Sequence, residues 1–167
     1  YGIDLLAKKR YLNFTSLVSY SLAKNDLDFE ELNEGITFPN NIDIRHNVSF
    51  VQTARIKDFE FSLNWKFRTS TPYTPADGLV TNPLNPFNAS INFEPLNSAR
   101  LTNYHRMDFS GKYKFRLFSE EENDAVVGLT VLNLYNQRNL LNRTYRIIQN
   151  VADGSLSLRE IDRISLE

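Results

Sequence analysis

The sequence predicts an all-β chain of antiparallel transmembrane β-barrel strands, about eight of them in an up-and-down meander. Three observations carry this reading. From Phe59 to Arg68 the chain alternates without fault, with Phe59, Phe61, Leu63, Trp65 and Phe67 at one parity and Glu60, Ser62, Asn64, Lys66 and Arg68 at the other. Period two sends successive side chains to opposite faces of an extended strand. Five bulky apolar residues facing one way, and three charged residues facing the other, are what lipid outside and a hydrated lumen inside select. Aromatic residues make up 13% of the chain, with twelve Phe, eight Tyr and one Trp; these favour strands and bilayer interfaces. Finally, short and long connections alternate along the chain. An outer-membrane barrel has this asymmetry, with short periplasmic turns and long extracellular loops.

The elements follow in order. Tyr1 to Lys8 alternates weakly, with Ile3, Leu5 and Ala7 opposite Gly2, Asp4 and Lys8. Lys9, Arg10 and Tyr11 are expected to turn the chain. Leu12 to Ala23 places Phe14, Val18, Tyr20 and Leu22 opposite Asn13, Thr15, Ser19 and Ser21. Lys24 to Asp43 reads as a long polar loop. Arg45 to Ile56 sets His46, Val48, Phe50, Ala54 and Ile56 against Arg45, Asn47, Ser49, Thr53 and Arg55. Lys57 and Asp58 then close a tight hairpin into the Phe59 strand. Thr71 to Asn103 reads as a second long loop holding five of the six prolines, and every proline is expected outside a strand.

Tyr104 to Phe115 alternates again, with Met107, Phe109, Tyr113 and Phe115 opposite Asp108, Ser110, Lys112 and Lys114. An acidic connection through Glu120, Glu121 and Glu122 leads to Ala125–Tyr135, whose Val127, Leu129 and Val131 oppose Gly128 and Thr130. Arg143 to Asn150 and Ser155 to Leu166 read as a last hairpin around Asp153-Gly154. Phe14, Phe59 and Phe115 fall at periplasmic strand ends, and Tyr20, Phe67, Tyr104 and Tyr135 near the opposite ends, as two aromatic girdles.

Composition narrows the function classes. The 167-residue chain has net charge −1 and no cysteine. Disulfides, thiolate metal sites and cysteine nucleophiles are excluded together, and no general attraction to nucleic acid is implied. Mean hydropathy is −0.40, and no apolar run approaches the ~20 residues of a transmembrane helix. The chain starts at Tyr1 and stops at Glu167 within strand-like patterns, so it reads as a piece of something longer.

Several segments, taken in order, resemble the C-terminal barrel strands of TonB-dependent outer-membrane receptors. They are Tyr1–Lys9 (YGIDLLAKK), Val18–Lys24 (VSYSLAK), Phe38-Pro39-Asn40 leading to Asp43–Asn47 (DIRHN), Thr71–Thr74 (TPYT), Asn103–Asp108 (NYHRMD) and Leu132–Asn136 (LNLYN). The resemblance implies a parent barrel of about 22 strands occluded by an N-terminal plug. It makes residues 1–167 a partial outer-membrane β-barrel domain without the plug, and it implies energy-coupled nutrient uptake in a Gram-negative outer membrane. The implied partners are outer-membrane lipid, the TonB system acting through the N-terminal region of the parent, and a surface lipoprotein.

The two histidines, His46 and His105, each stand beside an arginine, Arg45 and Arg106. They lack paired metal-ligand spacing and read as rim residues bonded to neighbouring loops. Asp4, Glu60, Lys66, Arg68, Asp108, Lys112 and Lys114 are expected to face the lumen, in interstrand ion pairs or against a plug. No catalytic constellation, metal set or cofactor loop is present, and enzyme activity is not expected. Four matches to the glycosylation pattern, beginning at Asn13, Asn47, Asn88 and Asn142, read as chance. In this family extracellular loops supply ligand contacts, so Arg45, His46, Tyr73, Phe87, Phe93, Tyr104, His105 and Arg106 are the candidate ligand-binding residues. Aromatic platforms with amide donors in loop 71–103 suit a sugar or peptide. Two other readings are a complete eight-stranded outer-membrane barrel with a structural or adhesion role, and a soluble carbohydrate-binding sandwich.

Overall fold

A computed structural model describes residues 1–82, 84–117 and 124–165. Fourteen strands occupy them: β1 (Gly2–Tyr11), β2 (Phe14–Ala23), β3 (Asp26–Leu27), β4 (Phe38–Pro39), β5 (His46–Ile56), β6 (Phe59–Arg68), β7 (Pro72–Tyr73), β8 (Ala76–Asn82), β9 (Asn85–Phe93), β10 (Ala99–Arg100), β11 (Tyr104–Arg116), β12 (Asp124–Val131), β13 (Asn139–Gln149) and β14 (Leu156–Ser165). The chain is all-β and antiparallel. One six-stranded sheet, in the order β1-β2-β5-β6-β11-β12, carries the long strands. No closed barrel forms among the described residues, and β1 and β12 are the two outer strands of the sheet.

The register aligns the apolar parities of neighbouring strands on one face. Ile56 pairs with Phe59, Phe50 with Trp65 and Val48 with Phe67. Trp65 pairs in turn with Met107, Leu63 with Phe109 and Phe59 with Tyr113. On the other side Val18 pairs with Phe50 and Tyr20 with Val48. Aromatic rings run along this face, with Phe59 and Tyr113 4.7 Å apart and Phe61 and Phe109 6.2 Å apart. The Phe61 ring covers Gly111, whose missing side chain leaves room for it. Slipping any strand by one residue would turn its whole apolar set over, so the two faces fix the register.

No element among the described residues covers this face. Ile3 is 62% exposed and Leu129 67%, with Phe14, Phe59, Phe61, Tyr113 and Val127 exposed between them. Among the described residues Phe38 is the one buried hydrophobic side chain. A domain of this size in water normally packs such a face against a second layer, and the described residues form none.

Several boundaries differ from the sequence reading. β1 runs on through Lys9, Arg10 and Tyr11, and the turn falls at Leu12-Asn13, where Leu12 adopts φ 49°. Leu12 lacks the composition of a turn residue; the register of β1 on β2 puts it there. The expected loop 71–103 holds β7, the β8–β9 hairpin and β10. Prolines enter strands at Pro39, Pro72 and Pro86, but only in two-residue ladders or where the β8–β9 register breaks, positions where a missing N–H is tolerated. β12 ends at Val131 rather than Tyr135. The last hairpin, β13–β14, pairs only with itself and adds no strands to the main sheet. Its charges lie on both parities, with Arg143 and Arg146 on β13 and Arg159 and Glu160 on β14, so it has no apolar face to continue the stripe. The acidic turn through Glu120, Glu121 and Glu122 lies outside the described residues.

The β5–β6 turn tests the local geometry. Lys57 takes φ 53°, a region that costs most L-residues about 1–2 kcal/mol and β-branched ones more. Lys57→Val should therefore lower the unfolding free energy by about 1–2 kcal/mol, whereas Lys57→Gly should change it by less than about 0.5 kcal/mol. Urea unfolding monitored by Trp65 fluorescence reads both; equal losses would mean that the lysine side chain, not the backbone, matters.

Candidate functional site

All three long connections leave the main sheet at the same end. They are the segments 24–45, 69–103 and 132–165, while the turns at Leu12-Asn13 and Lys57-Asp58 lie at the other end. Long loops have many backbone groups and little regular pairing, so their order must come from side chains. At this end the loops are stitched together.

Asp43 is the main knot. It is 1% exposed, and its Oδ1 accepts the Asn25 N–H at 2.8 Å. Its Oδ2 accepts from Arg45 Nη2 at 3.2 Å and from Arg100 Nη2. Arg100 Nη1 also donates to the Asp43 carbonyl at 3.1 Å and to the Ser70 carbonyl at 2.9 Å. One carboxylate and one guanidinium thus hold residues 25, 43, 70 and 100 together. Burial pushes the Asp43 carboxyl up, but Arg100, the Asn25 N–H and Arg45 outweigh it and hold the group below the usual carboxylate range.

Amides make the remaining stitches. Asn97 Nδ2 donates to the Pro39 carbonyl at 2.8 Å, and Asn33 Oδ1 accepts the Leu96 N–H at 3.3 Å. Asn103 Oδ1 accepts the Ser70 N–H at 3.0 Å. Asn33 and Asn97 both take positive φ, which Asn tolerates better than most residues. Asn139, 1% exposed, bonds the His105 N–H at 3.1 Å through Oδ1 and the His105 carbonyl at 3.0 Å through Nδ2. A side-chain amide here copies the pairing of a strand and ties β13 to β11.

Six of the eight sequence-predicted residues fall into three groups rather than one site. His46 and His105 stand on the apolar face: His46 Nδ1 is 2.9 Å from Tyr20 Oη, and His105 Nδ1 is 2.9 Å from Tyr135 Oη. Tyr104 and Arg106 stand on the polar face. The Arg68 guanidinium lies 4.7 Å above the Tyr104 ring, and Arg106 bonds Asp108 through Nε and Nη2. Tyr104 therefore faces away from the aromatic stripe it was expected to join. Tyr73 and Phe93 belong to the loop layer. Arg143 Nη1 donates to Tyr73 Oη at 3.3 Å, and Phe93 meets Tyr145 edge to face at 6.2 Å. Arg143 is itself gripped by Asp162, at 2.8 and 3.1 Å, and by Glu160 at 2.9 Å. Its hydrogen bonds to Asp162 hold the guanidinium firmly protonated, and they pull the Asp162 carboxyl below its ordinary range. Arg45 serves the Asp43 knot. Phe87 lies in β9, and its side chain is outside the described residues.

Sequence reasoning missed Asp43, Arg100, Asn139 and Arg143 as organising residues. Asp43 and Arg100 are 57 residues apart, and no local pattern announces such a pair. The polar face of the sheet was legible. Asp4, Glu60, Lys66, Arg68, Asp108, Lys112 and Lys114 all stand on it by register, with Lys8, Arg10, Arg55, Arg106 and Arg116 beside them. Cations predominate. At its long-loop end a cleft of about 370 Å³ opens between β5, β6, β11 and the foot of the last hairpin, lined by Asn47, Lys66, Arg68, Tyr104, Ile44 and Leu141. No group of three or more His, Asp or Glu among the described residues is placed to hold a metal ion. No helix there is long and apolar enough to cross a membrane. No family model, curated protein or solved structure matches the chain.

The Asp43 knot predicts a local phenotype. Asp43→Ala should raise hydrogen exchange at the loop amides of Asn25, Ser70 and Leu101 by an opening free energy of about 2 kcal/mol, the scale of a hydrogen bond to a charged group. Amides of β6 should not change. Because the folded carboxyl sits below its ordinary value of 3.8, its contribution is complete above that pH and fades as pH falls through the lower folded value. Wild-type loop protection should fall in that acid window, and the variant should show no such step. Uniform exchange across loops and sheet would contradict a local knot.

Proposed function

We propose that the chain is part of the wall of a TonB-dependent outer-membrane receptor for energy-coupled nutrient uptake. The observation that carries the reading is the apolar face: six strands wide, exposed along its length, and without a core behind it. Hydrocarbon is the medium that covers such a face without a second protein layer.

The dimensions agree. β6 has ten residues; at ~3.3 Å per residue it runs ~33 Å, and a tilt of about 45° leaves ~23 Å of height, near the ~25 Å apolar band of outer-membrane barrels. The polar face looks into the lumen, and the outer strands β1 and β12 are where further strands of a larger barrel pair. The two-residue turns face the periplasm. The stitched loops face outward, where they form a firm rim for ligand capture and for a surface lipoprotein. The plug that TonB pulls belongs to the N-terminal region of the parent. The segments that carry the family resemblance support the reading by their positions. Tyr1–Lys9 and Val18–Lys24 run in or beside the paired strands β1 and β2, Asp43–Asn47 leads from the knot into β5, and Asn103–Asp108 enters β11 beside Asn139.

Spin labels on β6 test this directly. Labels at Phe61, Leu63 and Trp65 should be reached by oxygen dissolved in lipid and shielded from a water-soluble nickel chelate. Labels at Ser62 and Asn64 should show the reverse. Equal chelate access at both parities in reconstituted vesicles would end the reading.

A further inference from the structure

We propose that the cleft at the long-loop end of the polar face binds an anionic small solute, one that carries two or more carboxylate or phosphate groups. The inference rests on the uptake reading for its purpose, since it names the class of solute admitted. Its geometry is independent of what covers the apolar face.

Lys66 and Arg68 lie two residues apart on β6 and so project from the same face. Arg106 stands directly opposite Lys66 on β11, and Tyr104 opposite Arg68. Three cations therefore crowd two adjacent rungs of the sheet. Their one carboxylate neighbour among the described residues, Asp108, is engaged by Arg106 and by the Asn133 N–H. No carboxylate lies within ion-pair distance of Lys66 or Arg68 among the described residues.

Like charges placed opposite each other on neighbouring strands oppose folding unless something compensates them. At one rung of the same face compensation is built in, where Arg55 stands opposite Glu60 at 3.0 Å. At the cleft no such partner stands among the described residues, and a bound anion supplies it. The Tyr104 ring under the Arg68 guanidinium holds that planar fork in place, and a fixed fork suits bidentate capture of a carboxylate or phosphate. Asn47, opposite Arg68 on β5, adds an amide for a neutral hydroxyl or carbonyl. Ile44 and Leu141 form apolar sides. About 370 Å³ is at the small end of ligand sites, which run from about 300 to 1,000 Å³. The size suits a small multiply charged acid or one acidic sugar residue rather than a long chain.

The test is a calorimetric titration of the full chain, in whatever medium keeps it folded, with citrate as the anionic probe and glucose as a neutral one. Citrate should bind saturably at one site, and glucose should not. Lys66→Gln/Arg68→Gln should weaken citrate at least about tenfold, since each charged hydrogen bond lost is worth that much. Lys112→Gln/Lys114→Gln, on the same face but away from the cleft, should weaken it less than about threefold, an effect of diffuse charge alone. Arg68→Lys keeps the charge without the fork and should fall between wild type and the double variant. Unchanged strand content by circular dichroism shows that each variant still folds. Absence of saturable citrate binding, equal binding of glucose, or equal losses in the two double variants would each overturn the proposal. None of these depends on the label experiment, so a chain that failed there would still answer here.

Discussion

A sheet with one uncovered apolar face is the constraint on which the rest of this structure depends. Folding a chain with 41% hydrophobic residues ordinarily means burying most of them against one another. Here the strands instead align their apolar residues outward in register, rung after rung, and the described residues contain one buried hydrophobic side chain. The hydrogen-bond ladders and the alternation fix the strands, but they do not remove the face from water. On the proposed reading a second medium does that. A polar interruption on the face, Ser16 bonded to Gln52 at 2.6 Å, is internally paired, with the Gln52 amide also donating to the Thr15 and Thr53 carbonyls, as an apolar surrounding would require.

The second theme is a division of labour between the two ends of the strands. At one end two-residue turns close hairpins with little material. At the other, three long segments cross-link through Asp43, Arg100, Asn97, Asn139 and Arg143. The buried residues Phe38, Asp43, Ser70 and Asn139 all lie at this end. Among the described residues the packed interior therefore lies in the loops. Loop order of that kind suits recognition, because a rim already held in place loses less entropy when a ligand arrives.

Legibility in the sequence followed from the range of the forces involved. The six long strands and the Lys57-Asp58 turn were readable because each rests on alternation within ten residues or so. The β6 boundaries fall where Phe59 and Arg68 end the pattern. The Leu12 turn was not readable, because pairing of Tyr11 with Phe14 places a leucine there against its own preference. β8 and β9 were hidden by bulges that break their period. The last hairpin looked like two more strands of the sheet because its alternation is real, but its charges fall on both faces. At the rim, the individual residues His46, Tyr73 and His105 were visible as unusual chemistry. The partners that give them their places, Tyr20, Arg143 and Asn139, lie 26, 70 and 34 residues away, beyond the reach of any local pattern.

Sedimentation of the folded chain in detergent solutions of varied density measures what covers the apolar face. A lipid-covered face requires the 19.4 kDa polypeptide to carry a bound detergent belt of at least comparable mass and to precipitate when detergent is withdrawn. A folded monomer that sediments at its bare polypeptide mass in plain buffer would contradict it.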